Sequence, residues 1–238
     1  MVDQRASHTT APTAVEQPVI DAGLRAYMLR VYNYMAGGLL LTGVVAYGAA
    51  ASGLYQAIAG TVLLWVVVFA PLALVMLLSF RIESMSLGAA QLTFWAYAGL
   101  VGLSLAGIFL IYTGASITRV FFIAATTFGA MSLYGYTTRS DLSRFGSFLL
   151  MGLIGIVIAS LVNIFLASSA LQFAISIIGV LVFVGLTAWD TQRIKEIYLE
   201  GEDAAVAGKK AIMGALALYL DFLNLFLLMM QLFGDRRR

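Results

Sequence analysis

Seven long apolar stretches, separated by short polar connections, constrain this chain more than any other feature. They lie near Tyr32–Ser52, Ala57–Ser79, Leu87–Tyr112, Ile117–Tyr136, Gly146–Ala167, Leu171–Asp190 and Ala211–Phe233. Each approaches or exceeds the roughly 20 residues that an α-helix needs to cross a bilayer. The runs are continuous rather than alternating, which excludes a membrane β-barrel. The expected fold is therefore all-α: a polytopic membrane bundle of seven transmembrane helices. Hydrophobic residues make up 61% of the 238 and charged residues 11%, which leaves no material for a sizeable soluble domain.

The same composition removes whole classes of function. A net charge of +2 is too small for a phosphate-binding surface, so no nucleic-acid partner is expected. The absence of cysteine removes thiolate metal sites and thiol catalysis. The one histidine, His8, lies in a polar segment and has no companions for a metal or a triad. No resident cofactor is expected.

Three regions follow: a mobile polar tail over 1–30, a seven-span membrane domain over 31–234, and a basic end over 235–238. The tail has no apolar core of a signal peptide, and a short helix over Ile20–Arg30 is expected at its end. Orientation follows from the loop cations. With the N-terminus cytoplasmic, the inner segments hold Arg5, Arg25, Arg30, Arg81, Arg139, Arg144, Arg193, Lys195, Lys209 and Lys210, and the outer loops hold Arg119. Arg236, Arg237 and Arg238 fall outside if the seventh stretch crosses and inside if it re-enters. At ~1.5 Å per residue, Ala211–Phe233 reaches about 34 Å, enough to cross.

Ionisable residues within spans are the informative ones, because even low estimates put a mid-span carboxylate at about 3 kcal/mol. Asp221 lies near the middle of the last stretch, sharing a small and polar helical face with Gly214, Ala217 and Asn224. That helix is otherwise apolar all round, as a buried central helix would be. Asp190 follows Trp189 at the inner end of the sixth stretch. Arg81 ends the second, beyond Pro71, which can kink it. Plainer readings stand beside these: Asp221 as an interhelical hydrogen-bonder, Asp190 paired with Arg193, Arg81 as a snorkelling anchor. Gln91 and Asn163 are expected to hydrogen-bond between helices. If the aspartates of these consecutive, antiparallel spans meet, they cannot both ionise cheaply; they share a proton and titrate as one unit. Losing that proton drives them apart or draws in a cation. Such a pair is a pH-sensitive latch.

The layout resembles the Bax inhibitor-1/YccA family of membrane proteins, and its bacterial members in particular. The resemblance rests on Asp190 at the end of the sixth span and Asp221-Phe222-Leu223-Asn224-Leu225-Phe226 in the seventh. Leu78-Ser79-Phe80-Arg81-Ile82 and Gln91-Leu92-Thr93-Phe94-Trp95 add to it. It implies a central seventh helix wrapped by the other six. It also implies a pH-sensitive calcium leak governed by Asp190 and Asp221, with Arg81 as their closed-state partner. Calcium would be a permeant ion held weakly and transiently by the two aspartates, with Asn224 as polar support. The second stretch, Ala57–Ser79, has no acid where some relatives carry one for cation passage. The family and the short outer loops suit a bacterial inner membrane, with the lipid bilayer as partner. The alternative is a non-conducting regulator of a membrane protease or another membrane protein. An intramembrane aspartyl protease fits poorly: Tyr219-Leu220-Asp221 has no Gly-x-Gly before the acid, and no Pro-Ala-Leu segment exists. No enzyme activity is expected. A proton-coupled transporter would need an inverted repeat, and none stands out.

Overall fold

A computed structural model describes residues 17–237, with side chains from Ala22 to Arg237. Its helices are α1 (Gln17–Ala51), α2 (Leu54–Ile58), α3 (Val62–Arg81), α4 (Leu87–Leu105), α5 (Ile108–Ile111), α6 (Gly114–Thr137), α7 (Ser143–Leu166), α8 (Ser169–Glu196) and α9 (Ala204–Phe233). Seven segments are long and apolar enough to cross a membrane, the third made of α4 and α5 together.

Local chemistry sets the ends. Side chains of Ser86, Thr113, Ser168 and Asp203 cap α4, α6, α8 and α9 by accepting bonds from amides one turn in. Ahead of α7, the Asp141 carboxylate accepts from the Ser143 amide at 2.8 Å, which holds the acid below the usual carboxylate range. Gly53 and Gly60, at φ 75° and 84°, turn the chain on either side of α2 in a conformation that side chains resist. They split off α2, so the second span starts at Val62, later than the hydropathy suggests. The helix runs on through Pro71, which is buried.

α1 differs more from expectation. It is one helix from Gln17, so the boundary expected near residue 30 falls inside it. Tyr27, Met28, Val31 and Met35 are buried along one face, so the packing stripe begins before the long apolar run. The rest of the expected mobile tail, 1–16, lies outside the described residues.

α9 is the most buried span and α7 the least. α9 packs against α8, α1, α6 and α4, while α3 rests on α4 and α7 on α8 in an outer layer. The last helix is thus central, but four spans rather than six wrap it. Glycines allow the close approaches: a Cβ at Gly214 would meet Ile194 at 3.0 Å, and one at Gly135 would meet the Ala188 carbonyl oxygen at 2.2 Å.

α9 also traverses the bundle. At one end the Lys209 ammonium donates to the Glu83 carbonyl at 2.8 Å. At the other, Thr113 N–H donates to Asp235 O at 3.0 Å, Arg237 N–H to Ile111 O at 2.8 Å, and Arg119 pairs with Asp235 at 2.8 Å. The C-terminal segment therefore lies on the face of the α5–α6 connection, opposite the face of the α3–α4 loop.

Candidate functional site: a buried carboxyl pair

α8 and α9 bring Asp190 and Asp221 together, with their carboxyls within hydrogen-bonding reach of each other. Asp221 is 4% exposed and Asp190 half-buried. Among the described residues, no amide, hydroxyl or cation donates to the buried Oδ2 of Asp221. α8 runs on as helix to Glu196, so Asp190 sits inside it rather than at its end.

The other expected residues are placed differently. Arg193 does not bridge to Asp190; its guanidinium lies over the Trp189 ring, 5.4 Å from the centroid. Arg81 is exposed at the end of α3, and neither ion pair among the described residues includes it. The Asn224 amide donates to its own helix, to Leu220 O at 2.8 Å, and not to the carboxyls. Gln91 bonds Tyr34 across α4 and α1 at 2.6 Å, and Asn163 bonds Gln172 across α7 and α8 at 3.0 Å, both interhelical as expected. Among the described residues, no group of three or more acids or histidines is placed to hold a metal. The pair is two carboxyls and no more.

Beside it runs a hydroxyl chain that the sequence did not reveal. Tyr32 Oη lies 2.7 Å from Ser132 Oγ, which lies 3.0 Å from Thr191 Oγ1, one residue beyond Asp190. Thr191 donates in turn to Thr187 O at 2.7 Å. Nearer the other face, the Tyr219 and Thr42 hydroxyls meet at 2.6 Å, one turn or less from Asp221 along α9. Every member is a common span residue, and partners 59 to 177 positions apart leave no local signal.

A family model described as "Inhibitor of apoptosis-promoting Bax1" matches residues 24–238. The chain belongs to this family. It is 51% identical over 220 residues to the inner membrane protein YbhL of Escherichia coli, covering 91% of this chain and 94% of YbhL. It is also 52% identical over 229 residues to an uncharacterized Rickettsia prowazekii protein, covering 96% and 97%. An uncharacterized Caulobacter vibrioides protein is 45% identical over 229 residues, covering 92% of each chain. With seven apolar spans and YbhL as a relative, the protein is a multi-pass protein of the bacterial inner membrane. The family is not one of known enzymes.

Proposed function

We propose that the protein is a pH-sensitive cation leak, conducting calcium, gated by the Asp190–Asp221 pair. The observation that carries this reading is the contact of two carboxyls between α8 and α9, with no other donor on Asp221 Oδ2. With one proton between them, one carboxyl donates to the other and ties the two helices. Without it, two negative charges face each other where little water can screen them. The helices then part, or a cation enters between the acids. Calcium suits oxygen ligands, and two carboxylates with carbonyls and water would hold it loosely enough to let it leave. Arg81 belongs to this reading as the closed-state cation that the family resemblance implies; it is exposed on α3, so reaching the pair requires α3 to shift on α4.

The test is calcium entry into proteoliposomes as a function of pH. The wild type should leak more as pH rises and the shared proton is lost. Asp221→Asn keeps a permanent N–H donor toward Asp190, so its leak should stay low and lose its pH dependence. An unchanged pH profile in both Asp190→Asn and Asp221→Asn would overturn the proposal.

A further inference from the structure

α1 and α6 flank α9 without packing on each other along their length. Two cavities of about 660 and 620 Å³ fill the space between them and meet at Phe128. Both open sideways, past exposed Leu29, Leu40, Val44 and Leu133. The outer cavity is apolar, floored by Phe121 and Phe222. The inner one is mixed: Arg25 and Tyr136 stand at its inner end, Met28 and Phe128 line its wall, and Tyr32 and the buried Ser132 lie deeper, toward Phe128. Arg25 brings a cation to that inner end. A second stands behind it, since the Lys195 ammonium donates to Tyr136 O at 2.9 Å and lies 5.6 Å from the centre of the Tyr136 ring.

We infer that this cleft holds one anionic phospholipid of the inner leaflet, with its phosphate at Arg25 and an acyl chain laid between α1 and α6 toward Phe128. Three features fit that occupant. The inner end has the charge that an anionic headgroup complements, at ~1 kcal/mol per basic residue near the surface. Tyr136, one residue before the end of α6, stands at the depth where aromatic side chains favour the interface. The length also matches: one leaflet is about 15 Å of a ~30 Å hydrocarbon core. At ~1.5 Å per residue that carries a chain from Arg25 to about Met35, which lines the outer cavity next to Phe128. Gly129 borders the open space of the inner cavity, since a Cβ there would meet nothing within 4 Å.

The inference does not depend on ion conduction, and its test reads lipid alone. The full chain in detergent is titrated with dioleoyl phosphatidylglycerol or dioleoyl phosphatidylcholine and the retained lipid counted by native mass spectrometry. The wild type should retain one phosphatidylglycerol about five-fold more tightly than phosphatidylcholine. Arg25→Gln, at an exposed position, should erase the preference. Gly129→Phe should fill the cleft and abolish retention of both lipids, whereas Gly43→Leu, in the outer cavity, should leave it intact. Equal retention of the two lipids by the wild type overturns the inference, as does a preference that survives Arg25→Gln. So does a folded Gly129→Phe that still holds lipid. If Gly129→Phe retains lipid and changes the oligomeric state, the cleft belongs to a second copy of the chain. A Gly129→Phe chain that fails to fold leaves the decision to Arg25→Gln.

Discussion

A carboxyl oxygen sealed among helices without a hydrogen-bond partner among the described residues, with a second carboxyl within reach, makes each acid depend on the other. Truncating one strands its partner, whereas removing both leaves little to strand. Asp190→Ala should therefore destabilise the protein by about 1–3 kcal/mol, the usual penalty for a buried polar group left unpaired. The Asp190→Ala/Asp221→Ala double variant should lose less than the sum of the single changes, by about 0.5–3 kcal/mol. Thermal unfolding in detergent measures this cycle, and additive losses would mean that the carboxyls do not interact. The two acids are legible in the sequence because charge inside an apolar run is costly and therefore conspicuous. Their support is not legible. Tyr32, Ser132 and Thr191 look like any span residues, and only the crossing of α1, α6 and α8 aligns their hydroxyls.

Helices are read well from hydropathy, because length and apolar content alone decide what can cross a bilayer. How they meet is read poorly, because it depends on single atoms at crossings. Gly129 and Gly135 lie on the same helix, and the sequence gives no reason to treat them differently. At Gly135 an added Cβ would meet the backbone oxygen of Ala188 at 2.2 Å, and at Gly129 it would meet nothing. Backbone cannot swing aside as a side-chain end can, so Gly135→Ala should push α6 from α8 and cost about 1–3 kcal/mol. Gly129→Ala should be neutral or slightly stabilising, since alanine is the better helix former. The comparison of thermal midpoints in one detergent tests both at once. Equal midpoints for the two variants would mean that α6 and α8 are not held this closely. The same crossing places Ser132 beside Thr191, so Gly135 positions the polar chain next to Asp190. The start of α1 and the outer layer of α3 and α7 were hidden for a related reason: burial of Tyr27 and exposure of α7 are set by neighbours, not by local composition.

For the whole molecule, the open question in the sequence is whether the last helix crosses, because three arginines at the chain end argue against placing that end outside. The contacts at the two ends of α9 answer it. Lys209 is tied to the α3–α4 loop, and Asp235 and Arg237 are tied to the α5–α6 connection, on the opposite face. An odd number of crossings then separates the start of α1 from the end of α9. The terminal arginines carry little topological weight because they emerge last, after the earlier loops have fixed the orientation. Bonds with Thr113, Ser116 and Arg119 hold Asp235, just ahead of them, at the outer face, and Arg237 N–H donates to Ile111 O there. A chain without cysteine makes the test direct. In intact spheroplasts, a membrane-impermeant maleimide should label Arg236→Cys and should not label Glu200→Cys, in the exposed loop between α8 and α9. Lysis should expose both. Labelling of neither before lysis would require α9 to re-enter, and that would break the strap to Thr113 and withdraw Asp221 from the middle of the bundle, where the pairing with Asp190 needs it. The position of Arg236 and Arg237 at the outer face and the approach of two aspartates inside the bundle therefore follow from the same crossing.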